Sequence, residues 1–221
     1  MTTLNSLGGK WLRSLLVGAV LVVAPIQAAF ASLILTNDRN AIRTDYTIDW
    51  AALGGDITSV AGPFTLGTDS VGGASSFGVF TGSTYNSDFK PTDSLLALVD
   101  PNFDPLDGIF SITFANAIQG VGAQVQANGF GGFSGIIRAF NAANMLIGSF
   151  AINGFNGGNG TGSAVFAGVI SSAVDITRLE FASFGPGAAI NAVSVQVPEP
   201  STWLMLLIGL GFLTVMRKRA K

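Results

Sequence analysis

Between residues 32 and 197 the chain is a succession of short apolar runs broken by Gly, Asn and Asp clusters, and no stretch keeps a helical period. Runs rich in Val, Ile, Phe and Thr bounded by such turn residues are the pattern of strands. One stretch alternates cleanly: Tyr46, Ile48 and Trp50 fall on one face, Asp45, Thr47 and Asp49 on the other. Further strands are predicted at 33–35, 64–66, 77–80 and 95–99, and in the second half at 108–114, 121–127, 135–140, 145–152, 164–170, 176–182 and 189–195. Residues 116–119 read as a turn, 128–134 as a loop, and Asn141 to Asn144 as the turn of a hairpin. The glycine- and Asn-rich stretch 154–163 reads as a flexible loop. The six or seven strands of the second half, at a spacing of roughly 8–12 residues, predict a mainly β body, an antiparallel sandwich or a barrel.

The two ends follow a different pattern. Lys10 and Arg13, an apolar stretch over 15–26 and Ala29-Phe30-Ala31 compose a secretory signal, with cleavage expected between Ala31 and Ser32. At the other end Pro198 and Pro200 lack backbone N–H groups and force an extended segment around Glu199. The uncharged run 203–216 follows, and then Arg217, Lys218 and Arg219. As a helix that run spans about 21 Å, against a hydrocarbon core of about 30 Å. It predicts a single short transmembrane helix whose basic end stays in the cytoplasm, leaving the body outside. The expected organisation is a signal peptide at 1–31, an extracellular β-sandwich domain at 32–196 and a terminal segment at 197–221.

Charge narrows the partners. The body from 32 to 197 carries five basic and twelve acidic residues, a net charge of −7, although the whole chain is only −2. Nucleic acid and anionic membrane surfaces are poor partners for it, whereas polycations, divalent metals and neutral glycans stay open. The chain has neither Cys nor His. Ser-His-Asp and Cys-His catalysis and His-ligated zinc are therefore excluded within it.

Four patterns carry candidate chemistry. Asp100, Asn102, Asp104 and Asp107 place oxygen side chains as a calcium loop begins, but Pro105 stands where a glycine is needed and Ser111 where the bidentate Glu belongs. The stretch fits either a loose calcium site or an Asp/Pro turn. Trp50 and Tyr46, with Tyr85, fit either a sugar-stacking platform or core positions. Glu180 shares a strand face with Arg178, which predicts an ion pair rather than an acid catalyst. Gly157 to Gly162 has the glycine spacing of a calcium-binding repeat without its Asp, and only once.

The order Val197-Pro198-Glu199-Pro200, short apolar helix, terminal Arg-Lys-Arg resembles the PEP-CTERM sorting signal of exported proteins from exosortase-bearing Gram-negative bacteria that make extracellular polysaccharide. The resemblance implies recognition at Pro198, Glu199 and Pro200 by an exosortase, loss of a transient membrane anchor, and transfer to the cell surface or matrix. The body, through 112–114, 121–125, 137–141, 176–181 and 190–194, is similar to those of many such proteins and to jelly-roll carbohydrate-binding modules. Asn191 stands where those bodies often have Asp. The expected function is structural or adhesive, in an extracellular polysaccharide layer, without enzymatic activity and without a required cofactor. The rivals are a carbohydrate-binding module, calcium-dependent or not, and a matrix-polymer hydrolase acting through Asp residues.

Overall fold

The computed structural model describes residues 32–198. The signal segment through Ala31, Glu199 and Pro200, the apolar run 203–216 and the basic residues Arg217, Lys218 and Arg219 lie outside the described residues. Among the described residues no helix is long and apolar enough to cross a membrane.

The first half supplies β1 (Leu33–Thr36), β2 (Tyr46–Ile48), β3 (Thr58–Ala61), β4 (Phe64–Leu66), β5 (Asp69–Gly72), β6 (Ser76–Thr81) and β7 (Ser94–Ala97). The second supplies β8 (Ile109–Ile118), β9 (Gly120–Gln126), β10 (Gly131–Phe140), β11 (Leu146–Asn156), β12 (Val165–Ser171), β13 (Ile176–Ala182), β14 (Ala189–Asn191) and β15 (Val193–Gln196). They form two antiparallel sheets. The nine-stranded sheet runs β1-β12-β9-β14-β7-β6-β3, with β15 also beside β9 and β2 outside β15. The six-stranded sheet runs β11-β10-β13-β8-β5-β4.

The period of two decides what lies between the sheets. Val121, Ala123 and Val125 of β9, Ala167 and Val169 of β12, and Leu96 of β7 point inward from the larger sheet. Phe110, Ile112 and Phe114 of β8, Ile137 of β10, and Leu179 and Phe181 of β13 meet them from the smaller. Each Val, Leu, Ile and Phe side chain among them contributes roughly 1.5–3 kcal/mol through burial. The body is thus mainly β, antiparallel and sandwich-like. The larger sheet also has a covered outer face, where Tyr85, Phe89, Leu95, Ala97, Val99, Ala164 and Ala189 form a second apolar cluster under the loops after β6 and β11.

The predicted hairpin is present: β10 and β11 pair antiparallel across the turn at Asn141, whose Oδ1 accepts from the Ala143 and Met145 N–H groups. Both strands run further than expected, because glycine-rich stretches of each pair with the other. Gly131 faces Asn156, and Phe133 faces Gly154, whose missing side chain makes room for the Phe133 ring. The turn expected at 116–119 is instead the end of β8, with Ile118 paired to Ile176. The strand expected over 45–50 stops at Ile48, and Trp50 opens a 3-10 turn capped by Asp49 Oδ1 on the Ala51 N–H at 3.0 Å.

The strand expected at 189–195 is broken. Ile190 pairs with Val125 and Ser194 with Gly122, so Asn191, Ala192 and Val193 stand against only Ala123 and Gln124. The extra residue is a bulge, and bulges re-aim side chains. Here it turns Asn191 into the outer face of the larger sheet.

Candidate functional site

On that outer face a cleft of about 530 Å³ opens between the loop after β6, the loop after β11 and the turn after β1. Its floor is set by the bulge. Gln124 N–H, without a strand partner there, donates to Asn191 Oδ1 at 2.9 Å, and Asn191 Nδ2 donates to Gln124 Oε1 at 2.7 Å and to Asp93 Oδ2 at 3.4 Å. Gln124 Nε2 in turn donates to the Gly162 and Ala164 carbonyls. Arg39 enters from a 3-10 turn capped by Asp38 on the Asn40 N–H, and its Nη2 donates to Asn191 Oδ1 at 3.1 Å. The guanidinium lies over the Phe166 ring, 5.3 Å from its centroid. Phe166 has that position because Gly122 and Gly168 face each other across β9 and β12. A Cβ on Gly122 would meet the ring at 2.6 Å.

The charge balance of this cleft is unusual for the molecule. Arg43 pairs with Asp45, while Arg138 and Arg178 both pair with Glu180. Among the described residues only the Arg39 guanidinium and the Lys90 ammonium group make no ion pair within 4.0 Å, and both residues line this cleft. Burial draws the Arg39 pKa below its ordinary value, and the nearby Asp93 charge offsets part of that. Arg39 stays a cation all the same, because an ordinary guanidinium titrates far above neutral pH.

One wall of the cleft rests on a buried carboxylate. Asp88 Oδ1 accepts from the Asn159 N–H at 2.9 Å, and Oδ2 accepts from the Gly157 N–H at 2.7 Å and from Gln126 Nε2 at 3.2 Å. Burial raises the pKa of this carboxyl, but the Asn159 and Gly157 hydrogen bonds outweigh burial and hold it below its ordinary value. Gly158, Gly160 and Gly162 take positive φ of 64°, 63° and 81°, so alternate N–H groups can turn toward one anion. The stretch expected to be a flexible loop is therefore anchored. Its organiser lies about seventy positions upstream, where no local pattern shows it.

At the sheet end where the chain leaves the body, β15 closes the fold tightly. Gln196 pairs with Gly120, its carbonyl accepts from the Gln119 N–H at 2.9 Å, and the Val197 N–H donates to Asp45 Oδ2 at 2.9 Å. Pro198 comes next. Residues 196–220 match the family described as the PEP-CTERM protein-sorting motif. The chain carries a PEP-CTERM sorting motif. This motif marks an exported protein processed by an exosortase, and it begins on the last residue of β15.

No curated protein matches this chain. Among solved structures it is similar to CsCBM6-3 from Clostridium stercorarium in complex with cellobiose, at 11% identity and a TM-score of 0.33, over 66% of this chain and 98% of that one. It is also similar to the enzymatically active domain of tailspike protein 4 of bacteriophage CBA120, at 12% identity and a TM-score of 0.27, over 76% of this chain and 19% of that one.

The residues singled out in the body fall in separate places. Trp50 is fully buried in the main core, and its Nε1 donates to the Asn191 carbonyl at 2.9 Å. It offers no face to a sugar, which corrects the stacking expectation; it braces the cleft floor from beneath. Tyr46 is 36% exposed and lines a different cleft of about 390 Å³, with its hydroxyl donating to Asp69 Oδ2 at 2.8 Å. Burial and then Asp69 push that phenol well above its ordinary value. Tyr85 is buried and donates to the Gly187 carbonyl.

The Asp100 loop follows its turn reading. Asp100 Oδ1 accepts from the Asn102 N–H at 2.8 Å and the Asp104 N–H at 2.9 Å. Asn102, Asp104 and Asp107 are exposed, and no group of three acidic side chains able to hold a metal ion occurs among the described residues. Arg39, Lys90 and Gln124 were not singled out from sequence. The available signal was the outward position of Gln124 in Val121-Gly-Ala-Gln-Val125; Arg39, next to Asp38, and Lys90, between Asp88 and Asp93, carried none.

Proposed function

We propose that the protein is exported, held for a time by its C-terminal helix with the body outside, and cut by an exosortase at Pro198-Glu199-Pro200. The released body is a structural, adhesive component of an extracellular polysaccharide layer. The observation that carries this reading is the position of the motif. It starts on Gln196, where the last strand ends, so the signal follows directly on a finished fold. A body in which one large sheet face carries a polar cleft suits a protein that must hold a hydrated polymer.

The test is intact mass and location, beside a Pro198→Ala/Pro200→Ala variant. The expected native form lacks the segment before Ser32 and the helix after Pro200 and is found outside the cell with the polysaccharide. The variant keeps its helix and stays with the membrane. A native form that retains 203–221 and behaves like the variant overturns exosortase processing. A second reading, a carbohydrate-binding module, is favoured by the amide, hydroxyl and cationic groups gathered in the 530 Å³ cleft.

A further inference from the structure

We infer that the cleft between Arg39 and Lys90 takes the carboxylate of an acidic sugar, an inference that rests on the polysaccharide-layer reading above. Net charge argues against anionic partners for a body at −7, but binding is decided where the ligand sits. The described residues hold five cations, and three of them sit in ion pairs. The other two converge on one cleft.

Arg39 is half-buried, and the residue it contacts most directly is the neutral amide of Asn191 at 3.1 Å. A half-buried cation whose direct hydrogen-bond partner is an amide, and whose burial Asp93 offsets only in part, gains from an incoming carboxylate. A guanidinium accepts a carboxylate through two parallel N–H donors, and Nη2 is the nitrogen turned to Asn191. Lys90 supplies a second, exposed charge on the same rim. Asp93 leaves the cleft with a net charge near +1 and provides an acceptor for a sugar hydroxyl. Gln124, Asn37 and Ser163 line the same space and add neutral hydrogen-bonding groups. The volume of about 530 Å³ lies within the range of roughly 300–1,000 Å³ usual for small-ligand clefts. Cation plus hydroxyl partners is the chemistry of a polyhydroxylated acid, rather than of a neutral glycan or a simple anion.

The test is calorimetric titration of the full chain in detergent with trigalacturonic acid, its methyl ester and acetate. Folding of each variant is verified by circular dichroism. The acid trimer is expected to bind at least tenfold more tightly than the ester and than acetate, with affinity falling as salt rises. Arg39→Gln and Lys90→Gln are each expected to weaken it at least tenfold, and Arg138→Gln to leave it unchanged. Lys90 is exposed, so its variant keeps the test alive if Arg39→Gln fails to fold. Equal binding of acid and ester, acetate binding as tightly as the trimer, or an acid affinity untouched by Lys90→Gln overturns the inference while leaving the matrix reading in place. Failure of the exported protein to sediment with its cells' polysaccharide overturns the matrix reading itself.

Discussion

The outer faces of the two sheets use the same pair of residues to different ends. On the six-stranded sheet the Arg178 guanidinium lies over the Phe140 ring, 3.6 Å from its centroid. On the nine-stranded sheet Arg39 lies over Phe166 at 5.3 Å. The first arginine meets Glu180, which also takes Arg138 from the neighbouring strand at 3.5 Å. The second meets Asn191. A shared carboxylate ties the arginines of one face into direct ion pairs, and an amide in the corresponding role leaves Arg39 on the other face without one. The lesson is that a residue's partner, more than its type, decides whether a surface is structural or receptive.

The largest expected effect tests what supports the receptive face. Trp50→Ala empties a fully buried site below Asn191 and should destabilise the fold by about 3–5 kcal/mol in urea titrations. Loss of sugar binding at full stability would restore Trp50 as a contact residue. Next comes the wall. Asp88→Asn replaces an acceptor of three hydrogen bonds and should cost about 3 kcal/mol at neutral pH. The sign with pH follows from the lowered Asp88 pKa. Its stabilisation is complete above the ordinary carboxyl value of about 4 and is lost as pH falls through the lower folded value. Urea midpoints at neutral and acid pH should therefore converge between native protein and variant; a constant gap would contradict the assignment.

Glu180→Gln should cost about 2 kcal/mol, because Arg138 and Arg178 lose their shared carboxylate in a half-buried setting. It sharpens the comparison further, since the six-stranded face should then acquire weak affinity for acidic sugars. The smallest effect belongs to a site on neither face. Asp104→Ala should change stability by less than about 0.5 kcal/mol, and calcium or a chelator should leave the melting temperature of native protein and variant unmoved. A calcium-dependent rise lost in the variant would revive the metal site.

Legibility from sequence tracks the distance between partners. The β10–β11 hairpin was readable because Asn141 to Asn144 sits between two apolar runs, and Arg178 with Glu180 because they lie two apart on one strand. The Asp100 turn was readable for the same local reason. β3 and β5 were missed because Thr58–Ala61 and Asp69–Gly72 are short and polar, and become strands only by pairing with β6 and β8. The cleft was illegible because its contacts are remote: Arg39 and Asn191 are 152 positions apart, Gln124 and Asn191 are 67. The bulge that aims Asn191 outward depends on the register of β14 and β15 against β9, which no single stretch encodes.

The most direct measurement of the central claim exchanges the deciding group. Asn191→Asp gives Arg39 the carboxylate that Glu180 gives Arg178, at a position where Oδ1 already accepts from Arg39 and from Gln124 N–H. Titrated beside the native protein with trigalacturonic acid, the folded variant should bind at least tenfold more weakly. An unchanged affinity would mean that the charge of Arg39 is not what the cleft uses.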